Sequence, residues 1–118
     1  MVKFSKGPRG TWDKMKPENR KVGYVFTTAR GYTPQKQSYY CSFLDKENDE
    51  IWVEGKLVGK AVLFNITYKW TDDLTLEFWK SDTYQDATWN DIWSIMDKFY
   101  RNNTPFLIIL HYKWTEVF

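Results

Sequence analysis

Residues 61–70 read AVLFNITYKW, in which Val62, Phe64, Ile66, Tyr68 and Trp70 fall on one face. Ala61, Leu63, Asn65, Thr67 and Lys69 fall on the other, more polar face. A period of two over this length predicts a half-buried β-strand. Downstream, Thr71-Asp72-Asp73 predicts a hairpin-like connection into a strand over Leu74 to Trp79. Upstream, Gly55 and Gly59 punctuate a turn after a short strand, Ile51-Trp52-Val53, which itself follows a solvated loop from Asp45 to Glu50. Before that loop, Gln37 to Leu44 predicts a strand with Tyr39, Cys41 and Phe43 opposite Ser38, Tyr40 and Ser42. A first strand begins at Lys21, with Val22, Tyr24, Phe26 and Thr28 on one face. The turn Arg30-Gly31-Tyr32-Thr33-Pro34 ends it.

Only one segment predicts a helix. Trp89, Ile92, Trp93, Met96, Phe99 and Tyr100 repeat at three-and-four spacing. Thr88 and Asp91 form a capping-box pattern with Asp in place of the usual Glu or Gln. Lys98 and Arg101 suit the last turn, and Asn102-Asn103-Thr104-Pro105 stops the helix. Phe106 to Leu110 then predicts a strand buried on both faces, running on through Tyr112 and Trp114. The fold class is mainly β, a small Greek-key barrel with one amphipathic helix in the C-terminal half. A β-sandwich with a packed helix is the alternative.

The 118 residues suffice for one core, and the net charge of +2 hides an asymmetry. Residues 1–36 carry nine basic residues against Asp13 and Glu18, a charge of +7, and residues 37–118 carry −5. Residues 1–20 are rich in Lys, Gly and Pro and are expected to be a basic flexible arm, with 21–118 a single domain. No run approaches the roughly 20 apolar residues of a membrane helix, so no membrane partner is expected. Lys3, Lys6 and Arg9 lack an apolar stretch behind them, which argues against a signal peptide. Cys41 is the only cysteine, so an exported disulfide framework is not expected and a cytoplasmic protein is.

The inventory argues against an enzyme, a cofactor or a metal. His111 is the only histidine, and metal ligation needs two or more His or Cys in convergent spacing. Cys41 alternates with aromatic residues and reads as a small core residue. Adjacent acids at Asp49-Glu50 and Asp72-Asp73 read as solvated turns. GKLVGK at residues 55–60 lacks the spacing of a phosphate-binding loop, and no helix follows it.

Binding is better supported, because seven Trp, eight Tyr and eight Phe exceed what a core of this size requires. Trp and Tyr pair a flat apolar face with a polar edge. Bases of a single strand stack on such rings at roughly 1–3 kcal/mol each, and Lys and Arg neutralise the phosphates. The candidate nucleic-acid-binding residues are Arg20, Lys21, Tyr24, Phe26, Arg30, Tyr32, Lys36, Tyr40 and Trp52. Tyr40, between Ser38 and Ser42, is expected to point outward and Tyr39 inward. Trp89, Trp93, Phe99 and Tyr100 are expected in the core, plugging one end of the barrel.

The basic start MVKFSKGPRG, the strands KVGYVFTTARGYT and QSYYCSFLD, and the tail WNDIWSIMDKFYRNNTPFLIILHYKW together resemble small phage-encoded single-stranded DNA-binding proteins of the oligonucleotide-binding (OB) type. The resemblance implies an OB-like barrel, a role in phage DNA replication or recombination, homo-oligomers, and contacts with replication or recombination proteins in the host cytoplasm. RNA is a second candidate ligand, since stacking is blind to the 2′-hydroxyl. Two departures stand out. The C-terminus keeps Phe118 but has one acid, Glu116, where such proteins carry an acidic tail. The helix also comes later among the strands than in the OB order, which implies an inserted hairpin over Val62 to Trp79. The competing function is a protein-interaction module, a phage inhibitor or assembly protein with exposed Trp and Tyr as interface hot spots. Rings sharing a face with the basic residues favour nucleic acid. Rings amid Asp72, Asp73, Asp82 and Asp86 favour a protein.

Overall fold

The alternating stretch is the second half of the longest strand in the computed structural model, which describes residues 1–46, 49–99 and 106–118. Five strands, β1 (Val2–Phe4), β2 (Val25–Gly31), β3 (Asp49–Val53), β4 (Lys56–Trp70) and β5 (Phe106–Val117), form one mixed sheet in the order β1-β3-β4-β5-β2. β1 runs parallel to β3 and every other pairing is antiparallel. Among the described residues, three α-helices accompany the sheet: α1 (Pro34–Cys41), α2 (Leu76–Asp82) and α3 (Trp89–Phe99). The protein is thus mainly β. Its sheet curls into a half-barrel whose edge strands approach one another: the Phe4 and Phe26 rings lie 6.1 Å apart, and Arg30 Nη2 donates to the Lys3 carbonyl at 3.3 Å.

Two glycines shape the β3–β4 hairpin for different reasons. Glu54 (φ 50°) and Gly55 (φ 84°) both adopt left-handed backbone, as a two-residue type I′ turn requires. Gly59 instead permits close approach, since a Cβ there would lie 2.3 Å from the Glu116 carbonyl oxygen of β5.

A bulge decides which way the side chains of β4 point. Leu63 pairs with Tyr112 but Asn65 pairs with His111, so Phe64 is an extra residue in the ladder. An extra residue inverts the alternation beyond it. Ala61 and Leu63 therefore face inward before the bulge, and Ile66, Tyr68 and Trp70 after it, opposite Leu110, Ile108 and Phe106. The expected single face of Val62, Phe64, Ile66, Tyr68 and Trp70 is split, with Val62 on the outer side and Phe64 exposed. β5 is buried on both faces from Leu107 to Leu110, as its unbroken apolar run predicts.

Two predicted strands are helices. Gln37 to Leu44 falls largely in α1, where Thr33 Oγ1 accepts from the Lys36 N–H at 3.1 Å and Pro34 opens the helix. Leu74 to Trp79 leads into α2, where Thr75 Oγ1 accepts from the Phe78 N–H at 3.2 Å. Thr71–Asp73 is a single helical turn rather than a hairpin. α3 forms where the periodicity predicts, with its capping box made: the Thr88 N–H donates to Asp91 Oδ2 at 2.8 Å. Tyr100, Arg101 and the 102–105 stop lie outside the described residues, as do Glu47 and Asn48 of the loop.

Residues 1–20, expected to be a flexible arm, are built into the core. Val2, Phe4, Trp12 and Met15 are buried, and Trp12 packs on Tyr84 with ring centroids 5.1 Å apart. A single helical turn, Asp13–Met15, delivers Lys14 to the interior, where its side chain is 7% exposed. Its ammonium donates to Asp82 Oδ1 of α2 and to the Thr27 carbonyl of β2, both at 2.7 Å. Within the half-barrel Phe26 stacks on Tyr112 at 5.3 Å, and the Tyr112 hydroxyl donates to buried Asp49 at 3.2 Å. The Met1 amino group pairs with the same carboxylate.

Removing one partner of a buried ion pair costs about 3–5 kcal/mol, whereas replacing both with apolar groups restores much of it. Lys14→Met should therefore lower the urea midpoint sharply, and adding Asp82→Leu should recover most of the loss. A double variant no better than the single would show that the pair is not what holds this segment. Alkali offers a separate test. Burial, with a further push from Asp49, raises the Tyr112 pKa above its ordinary 10.0. The unfolded chain loses that proton first, so the stabilisation is complete below pH 10.0 and lost as pH rises further. Urea midpoints should fall above about pH 10, less steeply in Tyr112→Phe. Equal slopes would assign the titration to other groups.

Candidate nucleic-acid interface

Six of the nine predicted binding residues lie at the two ends of β2. Arg20, Lys21 and Tyr24 precede it. Tyr24 is exposed, with the Lys21 ammonium 5.7 Å from its ring centre, and Arg20 is half-buried with an unpartnered Nε. The neighbouring hollow, about 500 Å³, mixes Lys16 and Lys80 with Asp13 and Glu18 and so has no single sign.

Arg30, Tyr32 and Lys36 gather at the other end. Arg30 ends the inward row Phe26, Thr28, Arg30 of β2, and Lys36 lies exposed in the first turn of α1. Tyr32 follows β2, its backbone N–H donating to the Phe106 carbonyl at 3.0 Å and its hydroxyl to Gln37 Oε1 at 2.8 Å.

The other three predicted residues are elsewhere. Phe26 is a core ring, because the curled sheet sets it against Tyr112 and Trp114. Tyr40 is half-buried against the core, and it is Tyr39 that is exposed. The helical backbone of α1 replaces the strand alternation on which the opposite assignment rested. Cys41 is exposed for the same reason. Trp52 is half-buried on β3, where its Nε1 donates to Glu50 at 3.3 Å.

Three rings unforeseen as site residues complete an aromatic surface with Tyr32. Its ring meets Phe106 at 5.3 Å and Tyr68 at 6.3 Å. Tyr68 stacks on Phe106 at 6.0 Å, and Trp70 packs against Phe106 at 4.8 Å while remaining 55% exposed. The outer half of β4 carries these rings past the core. The signal was present in the alternation of residues 61–70, but not the pairing with β5 that joins them to Tyr32.

The seam between the edges of β1 and β2 opens into a cleft of about 170 Å³, lined in part by Arg30 and Gly31, the two residues before Tyr32. Four cations line it, Lys3, Lys14, Arg30 and Lys36, with one carboxylate, Asp82. Burial lowers the pKa of Lys14, Asp82 opposes that shift, and the charge on Arg30 adds to it.

A second aromatic surface has the opposite electrostatic company. Trp89 and Trp93 of α3 stack 6.4 Å apart and are 40% and 58% exposed, so they do not plug the barrel. Ile92 and Ile95 make the buried side of α3 instead. The two indoles line a groove of about 280 Å³ with Leu74, Met96 and Asp72. The Phe99 side chain and Tyr100 lie outside the described residues.

Among the described residues, no three His, Cys, Asp or Glu side chains come together as a metal site. His111 is half-buried beside Thr67 Oγ1 at 2.9 Å, with its pKa lowered by burial. No described helix is long and apolar enough to cross a membrane. Comparisons with protein-family models, curated proteins and solved structures find no match to this chain.

Proposed function

We propose that this protein binds single-stranded nucleic acid, DNA in the first instance, and catalyses no reaction. Bases stack on Tyr32, Tyr68, Trp70 and Phe106, and phosphates meet Arg30, Lys36 and Lys3. The observation that carries this reading is the continuity of rings and cations. Arg30 lies at the end of β2 and Tyr32 follows it two residues on, with Lys36 in the first turn of α1. A sequence-tolerant single-strand site combines these two elements, a cationic track and a row of π-faces. The OB-like Greek-key barrel enters as an analogy: both folds use a curled sheet, and here β4 and β5 carry rings as strands 2 and 3 of that barrel carry its ligand surface. Replication or recombination of phage DNA is the setting the resemblance supplies.

A different observation favours a second function. Trp89 and Trp93 are exposed beside Asp72 rather than beside the cations, which suits a protein partner. The two functions use separate residues and are separable by mutation.

Quenching of tryptophan fluorescence by oligo-dT tests the first. Affinity should fall with salt at a log–log slope of about −2 if three phosphates are engaged, since each contributes about −0.7. Trp70→Ala should weaken binding by about fivefold to a hundredfold, the equivalent of one stacked base. Trp93→Ala should leave it unchanged. Absence of binding by the wild-type chain at low salt would sink the nucleic-acid function and leave the α3 surface as the one to pursue.

A further inference from the structure

The seam cleft holds more positive charge than it neutralises. Lys3, Lys14, Arg30 and Lys36 against Asp82 leave a net charge of +3. Asp82 is already engaged by Lys14 at 2.7 Å. Among the described residues no carboxylate pairs with Lys3, Arg30 or Lys36. The Arg30 guanidinium lies over the Phe4 ring at 5.2 Å and makes one bond, to the Lys3 carbonyl, while its Nε is buried with no acceptor. A buried donor without a partner is costly, and a charged one more so. Lys14 spends two donors on Asp82 and Thr27, and an ammonium has three. Arg30 and Lys14 repel one another across the cleft, and an anion between them would relieve that repulsion.

Size and charge narrow the anion. A cleft of about 170 Å³ is smaller than the roughly 300–1,000 Å³ of a site for a whole small ligand. A phosphoryl group fits within it, and the rest of a nucleotide would lie outside. An internal phosphodiester brings one negative charge and a sugar on each side, whereas a phosphomonoester brings nearly two charges and three acceptor oxygens. We propose that the cleft is a site for the terminal phosphate of a nucleic-acid strand, held by Arg30 and Lys14 with Lys3 and Lys36 completing the charge. This rests on the single-strand function for the molecule that carries the phosphate. Tyr32, two residues from Arg30, starts the stacking surface where the first bases would lie.

The test uses oligo-dT of one length with a 5′-phosphate, a 3′-phosphate, or hydroxyls at both ends, against the wild-type chain, Arg30→Gln, Lys36→Gln and Trp70→Ala. One phosphorylated end should bind about tenfold tighter than the hydroxyl-ended strand, a difference of about 1.4 kcal/mol. Arg30→Gln should bring that ratio close to one, and Lys36→Gln, on the exposed side of α1, should reduce it if Arg30→Gln fails to fold. Trp70→Ala should weaken all three strands alike and preserve the ratio. Equal wild-type binding of the three strands would overturn the terminal-phosphate site and leave the single-strand function standing. Equal losses for all three in Arg30→Gln would overturn it too, by assigning Arg30 to internal phosphates. If no strand binds, both fall. Inorganic phosphate at matched ionic strength then reads the cleft alone: a Tm rise absent from Arg30→Gln would support a phosphoryl site without a strand, and no rise would overturn that as well.

Discussion

The buried pair between Lys14 and Asp82 joins parts of the chain that share no hydrogen-bonded ladder. β1 contributes three residues of parallel pairing to β3, too little to fix the twenty residues that begin at the N-terminus. Lys14 ties that segment to α2 through Asp82 and to β2 through the Thr27 carbonyl. With it in place, Phe4 faces Phe26 and Arg30 reaches the Lys3 carbonyl, so the two sheet edges approach without pairing. The half-barrel is closed by side chains where a full barrel would be closed by backbone. A side-chain seam leaves a gap, and the gap is lined by the residues that make it.

Long-period signals in the sequence were legible, and short-range ones were outvoted. α3 runs eleven residues, enough for the three-and-four spacing to stand out, and its capping pair formed as its residues predict. α1 and α2 run eight and seven residues, about two turns each, in which aromatic residues can mimic strand alternation. Their caps were visible all the same: Thr33-Pro34 and Thr75 are helix-start signals, and both side chains cap in the structure. Weighing them above β-propensity would have recovered both helices. The bulge at Phe64 had no such local mark. It arises from pairing with β5, more than forty residues away, and inverts the inward face of β4.

The candidate site divides along the same line. Arg30, Tyr32 and Lys36 are neighbours in sequence, and a turn rich in Gly and Pro suffices to gather them. Tyr68, Trp70 and Phe106 reach Tyr32 only through the β4–β5 ladder and the return of the chain from β2. Phe26 failed as a site residue because alternation gives two faces without saying which is concave. Curvature belongs to the whole sheet, and no stretch of seven residues encodes it.

Much of the charge asymmetry that suggested a polyanion is spent inside the molecule. Arg9 pairs with Asp86 and approaches Asp91, Lys14 pairs with Asp82, and Lys16 pairs with Asp13. The acidic body and the basic segment partly neutralise each other, which is how residues 1–20 can fold onto α2 and the start of α3. What remains positive is not spread along an arm. Lys3, Arg30 and Lys36 meet at the seam cleft, while Lys6, Arg20 and Lys21 lie outside it. The one acid in the groove of the α3 indoles, Asp72, has no cation beside it in that lining. A chain with a net charge of only +2 thereby carries a cationic cleft, because four of its cations meet there against the single carboxylate of Asp82. Its two aromatic surfaces thus have different electrostatic neighbours: Asp72 lines the groove of the α3 indoles, whereas Tyr32 sits between Arg30 and Lys36 in the sequence.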